Sequence, residues 1–166
     1  MGESGSGKTT IADILEECYG LRQVKSYTTR QKRYPTEDTH TFISVEQFKK
    51  LHNLVAYTYF DGNYYGTTLD QISNNSVYVI DPDGVKYFKA HYAGSKRPIV
   101  VYLTVSMEER MKRMMKRGDS KENAAIRIKH DISAFREAEA MADYVIENTN
   151  LKDAIHEIID IINHNN

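Results

Sequence analysis

A chain of 166 residues with 40% hydrophobic content can bury one core and is short for two independent domains. Its formal net charge of −1 excludes a broad duplex-binding surface, which needs an excess of Lys and Arg on one face, but leaves room for a local basic cluster around a small anion. The single cysteine, Cys18, excludes an internal disulfide, and the sequence has neither an 18-residue apolar run nor a signal pattern, so the expected setting is reduced and cytoplasmic, with no nucleic-acid or membrane partner.

The chain opens on "MGESGSGKTT", the Gly2-x4-Gly7-Lys8-Thr9 spacing of a phosphate-binding loop. Glycines let successive backbone N–H groups converge on one anion, and the following helix adds its positive end. Lys8 would reach the β- and γ-phosphates, and the Thr9 hydroxyl would stand on Mg²⁺. Such a loop hangs from a buried strand, yet only Met1 precedes it, so about five residues of apolar strand are expected before Met1 in the natural protein. Ile11, Ile14, Leu15 and Cys18 then fall at i, i+3, i+4 and i+7, an amphipathic helix that Gly20 ends.

Residues 26–76 are polar, tyrosine-rich and turn-rich, with a short helix at "SVEQFKKL" capped by Ser44, and read as an insertion. "VYVI" at 77–80, "PIVVYLTV" at 98–105 and "ADYVIEN" read as buried parallel strands. Between the last two lies a helical stretch broken around Gly118, in which Met107, Met111, Met114 and Met115 read as core packing. Arg110, Arg113 and Arg117 share one helix face, for which a solvated cationic surface is the ordinary reading. A last helix begins near Leu151, with Ile155, Ile158, Ile159 and Ile162 on one side. Strands alternating with helices predict a single α/β domain: a P-loop three-layer sandwich with a parallel sheet.

A P-loop alone names no reaction. The ordered marks GESGSGKT, SYTTRQKR, FDGNYYGTT, the acid closing "VYVID", "RMMKRGDS" and "DYVIENTNL" span nearly the whole chain, and in this order the sequence resembles the guanylate kinase family. The resemblance implies a core at about 1–25, 77–107 and 131–166, a nucleoside-monophosphate-binding insertion at about 26–76 and a helical lid at about 108–130. It implies transfer of the γ-phosphoryl group of ATP to GMP or dGMP with Mg²⁺, by a monomer or homodimer. Residue by residue, it puts Glu3, Ser4, Gly5, Ser6, Gly7, Lys8, Thr9, Thr10 and Asn148 at ATP. The acceptor would be held by Ser26, Arg30, Arg33, His40, Tyr65 and Thr67, with Asp81 beside the reacting phosphates and sharing the metal with Thr9. Lys8, Arg113, Arg117 and Arg127 would carry the chemistry.

Two positions depart from the family's pattern. His40 stands where a tyrosine grips the acceptor phosphate, and Ala56 stands where a glutamate reads guanine's N1–H and amino group. The acceptor base is therefore open on sequence alone. The alternatives are a P-loop kinase of another nucleotide or of a phosphorylated sugar, and an inactive guanylate-kinase-like binding module.

Overall fold

The computed structural model describes residues 1–32, 34–60 and 62–165; Arg33, expected at the acceptor phosphate, lies outside the described residues. In chain order the elements are α1 (Lys8–Tyr19), β1 (Tyr27–Thr28), β2 (Thr41–Phe42), α2 (Val45–Phe48), β3 (Leu54–Phe60), β4 (Asn63–Thr68), α3 (Leu69–Ser73), α4 (Pro82–His91), β5 (Val101–Thr104), α5 (Met107–Lys116), α6 (Lys121–Ala134), α7 (Ala138–Met141), β6 (Tyr144–Glu147) and α8 (Leu151–Asn165). They fall into two compact units, one of Met1–Ile14 with Pro98–Asn166 and one of Leu15–Arg97. The α/β class follows. Among the described residues no helix is long and apolar enough to cross a membrane.

The first unit is organised on parallel strands. β5 pairs with β6 from Val101–Tyr144 to Thr104–Glu147. Residues 1–2 run beside β5: the Met1 nitrogen donates to the Val101 carbonyl at 2.6 Å and the Leu103 N–H to the Met1 carbonyl at 2.9 Å. The chain thus enters the glycine loop directly from a ladder position. Helices α5 and α6 pack through Met114, Ala124 and Ile128, with Met111 against them. Of the four methionines expected in the core, Met107 and Met115 are instead exposed, because they lie off the stripe that meets α6. The buried face of α8 is Ala154, Ile155, Ile158 and Ile161, rotated from the expected one so that Ala154 and Ile161 replace Ile159 and Ile162.

The second unit holds a four-stranded sheet in the order β2-β1-β4-β3. β1 runs parallel to β2, and β4 pairs antiparallel with β1 and β3. The β3–β4 hairpin separates its side chains by alternation. Tyr57, Tyr59 and Tyr64 stack on one face with Phe48, while Ala56 lies opposite Thr67 and Thr58 opposite Tyr65 on the other. Helix α2 starts where expected, with a capping box in which Ser44 and Gln47 bond each other's backbone N–H at 3.1 and 2.8 Å.

Residues 77–80 are not a strand. Val77 alone forms a bridge, with Gln23, and Tyr78 and Ile80 pack against Val55, Ala56 and Phe88. A short apolar run reports burial without reporting pairing, and here the burial comes from β3 and α4. Asp81, expected at a strand end, is instead the N-cap of α4.

Candidate functional site

The first unit carries the glycine loop. Gly5 and Gly7 hold φ of +80° and +92°, a region that L side chains rarely enter. Space also forbids a larger residue: a Cβ on Gly5 would stand 2.8 Å from the Arg110 carbonyl oxygen, and one on Gly7 would run into the Asn148 amide. Leaving the loop, α1 has no acidic residue in its first turn, so nothing on the helix cancels its positive end. Thr9 and Thr10 follow Lys8 there and are exposed.

Around this loop the sequence-expected residues come together. Asn148 is buried, donates from Nδ2 to the Ser6 carbonyl at 2.8 Å, and lends its own carbonyl to Arg113 Nη2 at 2.9 Å. The Lys8 ammonium donates to the Glu3 carbonyl at 2.9 Å. Lys8 keeps some surface open to solvent, yet the protein mass packed round its ammonium lowers its pKa from 10.5 to about 8; Asp131 opposes that shift and Arg127, Arg110 and Arg117 add to it. Arg117 grips Asp119 at 2.8 and 3.0 Å, and Arg127 reaches the same carboxylate at 3.5 Å.

A polyphosphate fits this site on charge: Lys8 is held among like charges that an anion would relieve. The loop glycines keep the cradle clear of side chains.

Sequence reasoning missed two members of this group. Arg110, grouped with Arg113 and Arg117 on one helix face but given no role, is 3% exposed; Asp131 was not singled out and is 6% exposed. Arg110 Nη1 pairs with Glu3 Oε1 and Nη2 with Asp131 Oδ2, both at 2.7 Å. A signal for Asp131 existed: with Ala124 and Ile128 it completes the buried i, i+4, i+7 stripe of α6, an acid at an apolar position.

The second unit gathers the residues expected at the acceptor. Arg30 faces Glu37 in a two-pronged pair, Nη2–Oε1 at 2.7 Å and Nη1–Oε2 at 3.2 Å. Burial alone would lower the Arg30 pKa, but the Glu37 carboxylate, helped by Tyr65, raises it above its ordinary value. The Ser26 hydroxyl meets His40 Nδ1 at 2.9 Å, and the His40 ring lies edge-on to Tyr65 and Phe42 at 5.9 and 6.0 Å. Thr67, expected beside a base, is fully buried and donates to the Tyr78 phenol at 2.6 Å. Burial pushes the Tyr78 pKa up to about 12 while the Thr67 and Ser26 hydroxyls oppose the shift, so the phenol stays protonated at neutral pH.

Asp81 Oδ1 accepts from the Gly84 N–H at 2.7 Å and the Thr58 hydroxyl at 3.0 Å. Its pKa is raised, mainly by burial. Ala56 is 1% exposed and packs in the apolar cluster with Val55 and Phe88, so no carboxylate stands at that point of the face. Glu37, Thr58 and Tyr78 were missed from sequence. Thr58 had a signal, a hydroxyl at the inward alternate of β3; Glu37 had none, since its partner lies across an irregular turn.

Comparison with known proteins supplies a further finding. A family model described as Guanylate kinase matches residues 1–165. The guanylate kinase of Fusobacterium nucleatum subsp. nucleatum is 29% identical over 173 residues, covering 97% of this chain and 92% of that protein. Those of Bartonella henselae and Mannheimia succiniciproducens are 30% and 33% identical, over 92% and 96% of this chain and 73% and 83% of theirs. The crystal structure of guanylate kinase from Anaplasma phagocytophilum superposes with a TM-score of 0.68 at 25% identity, over 98% of this chain and 82% of that one.

Proposed function

The chain belongs to the guanylate kinase family, and from that premise we propose that it transfers the γ-phosphoryl group of ATP to GMP, with dGMP as a second acceptor, giving ADP and the nucleoside diphosphate. The observation that carries this reading is the geometry of the loop: Gly5 and Gly7 at φ of +80° and +92° keep it clear of side chains, the Lys8 ammonium donates to the Glu3 carbonyl within it at 2.9 Å, and Arg113 is held beside it on the Asn148 carbonyl.

Phosphoryl transfer needs no covalent nucleophile; positioning and charge neutralisation suffice. The loop amides and Lys8 hold the β- and γ-phosphates. Arg113, fixed between Glu109 at 3.0 Å and the Asn148 carbonyl at 2.9 Å, aims its guanidinium along the loop, and Arg117 and Arg127 add charge that stabilises the transferring group. Arginines in this role raise rates by about 10³–10⁵. A divalent metal, Mg²⁺ in this reading, would neutralise phosphate charge, and the Thr9 hydroxyl would be a ligand to it. Within the second unit Arg30, Ser26, His40 and Tyr65 take the acceptor's phosphate. In this proposal 26–76 is the acceptor-binding part and 108–130 the lid.

Base selection then rests on hydroxyls instead of the missing carboxylate. Thr58, Thr67 and Tyr78, with Asp81, are the polar groups beside Ala56, and hydrogen bonds to a base's donors and acceptors are what reject the wrong base. The test is a coupled ADP-release assay with ATP, Mg²⁺ and a panel of ribo- and deoxyribonucleoside monophosphates. Turnover with GMP and dGMP far above that with AMP, CMP and UMP is the expected result; selective turnover of a non-guanine acceptor, or none, overturns it.

A further inference from the structure

Ser4 sits at the tip of the glycine loop with both of its backbone polar groups held by side chains from elsewhere. Its N–H donates to Asp131 Oδ2 at 2.7 Å and its carbonyl accepts from Arg110 Nε at 2.9 Å. The same Asp131 oxygen accepts from Arg110 Nη2, and Arg110 Nη1 turns back to Glu3. Three separate pieces of chain, the loop, α5 and α6, thus meet in one buried ionic knot. The contact is close enough that only glycine fits at position 5, where a Cβ would lie 3.1 Å from the Arg110 Cα.

A buried ion pair is a weak source of stability, because apolar residues of similar volume serve the fold as well or better. What an apolar trio cannot do is grip the Ser4 amide and carbonyl. The helices so anchored are the ones that bear the arginines: Arg113 lies one turn beyond Arg110 on α5, and Arg127 one turn before Asp131 on α6.

We propose that Arg110 and Asp131 are positioning residues of the phosphoryl-transfer site: by clamping Ser4 and pairing with Glu3 they hold Lys8, Arg113 and Arg127 in one preassembled arrangement around the donor nucleotide's phosphates. The proposal rests on the kinase reading above and deepens it. Neither side chain touches the nucleotide; each acts through the loop and through the arginine one turn away.

The test compares the parent with Asp131→Asn and with the triple apolar replacement Glu3→Ala, Arg110→Met, Asp131→Ala. Three quantities are read: ADP affinity by calorimetry without metal or acceptor, kcat, and KM for the acceptor. Positioning predicts that both variants bind ADP about tenfold or more weakly and lose about tenfold or more in kcat, with acceptor KM within about twofold of the parent. A purely structural role would instead lower the melting temperature and leave the ADP affinity and kcat of the folded protein at the parent's values. If the triple variant melts cooperatively and keeps the parent's ADP affinity and kcat, the proposal is wrong. If the triple variant does not fold, Asp131→Asn decides alone, and parental ADP affinity with parental kcat overturns the proposal. ADP affinity involves no acceptor, so a mistaken acceptor assignment would show in the monophosphate panel and leave this readout untouched.

Discussion

Arg30 and Glu37 are joined through two parallel hydrogen bonds, with the Glu37 carboxylate buried and also accepting from the Thr39 hydroxyl at 3.1 Å. The pair fixes the plane of a guanidinium proposed to bind the acceptor phosphate. A forked donor is useful only when its orientation is set beforehand, because a side chain with rotamer freedom must be ordered at the moment of binding.

Replacing Glu37 with Gln keeps the volume and one acceptor oxygen but removes the charge and one prong. The expected outcome is a rise of about tenfold in KM for GMP, or about 1.4 kcal/mol, with kcat within about threefold because the donor side is untouched. Steady-state kinetics at saturating ATP read this directly. Equal loss in kcat and kcat/KM would show that Arg30 acts on the transition state and that Glu37 does more than aim it.

Lys8 sets a pH dependence whose sign follows from its displaced pKa. Its pKa falls from 10.5 to about 8 in the native protein, so between those values the unfolded chain holds a proton that the native chain has released. The unliganded protein therefore gains stability from this group as pH rises from about 8 toward 10.5. Polyphosphate binding needs the charged form and runs the other way. Metal-free ADP affinity is expected to fall as pH rises through about 8, by up to about tenfold per unit. Lys8→Arg, whose guanidinium stays charged, should bind more weakly for reasons of shape but show no such limb; calorimetric titrations from pH 7 to 10 check both.

Asp81 separates a structural task from a chemical one. Its Oδ1 caps α4 through Gly84 and holds Thr58, work that an asparagine oxygen does equally well. Burial raises the carboxyl's pKa in the native state, so the native protein binds this proton more tightly than the unfolded chain. Stability contributed in acid is then lost as pH rises through the raised value. Asp81→Asn should accordingly melt at or above the parent's temperature at pH 7. If Asp81 orders the metal's water shell, the same variant should lose about tenfold or more in kcat, with a shifted Mg²⁺ dependence. A variant with full activity would leave Asp81 as a cap alone.

How much of this was legible in the sequence follows from whether the signal was local. The glycine loop, α1 ending at Gly20 with Leu21 N–H bonded back to the Leu15 carbonyl at 3.1 Å, and the Ser44 capping box are contiguous patterns, and each came out as read. Residues 77–80 did not, since Tyr78 and Ile80 are apolar for packing on β3 and α4, and composition alone cannot tell such burial from strand pairing. Arg110 and Asp131 were hidden for a related reason: the charge that makes them look solvent-facing is cancelled by partners distant in sequence, each other across 21 residues and Glu3 for Arg110. Of the acceptor residues, Ser26, His40, Tyr65 and Arg30 are close in space as well as in motif, but Glu37, Thr58 and Tyr78 lie in segments whose fold had to be known before their hydrogen bonds could be.

Tyr78 and Thr67 offer a last test, because their bond joins a fold task to a recognition task. Thr67 is fully buried and its hydroxyl donates to the phenol at 2.6 Å. Tyr78→Phe leaves that hydroxyl unsatisfied at a cost of about 1–3 kcal/mol, seen as a lower melting temperature. Adding Thr67→Val removes the second polar group with little change of shape, and replacing both partners is close to neutral; the double variant should therefore be more stable than Tyr78→Phe alone. Acceptor binding should not recover with it. The phenol also acts on Ser26, whose hydroxyl meets His40, so both variants are expected to keep a raised KM for GMP and a reduced preference for GMP over AMP. A double variant that regained parental KM and base preference along with its stability would reduce the hydroxyl pair to packing and return base selection to Thr58 and Asp81.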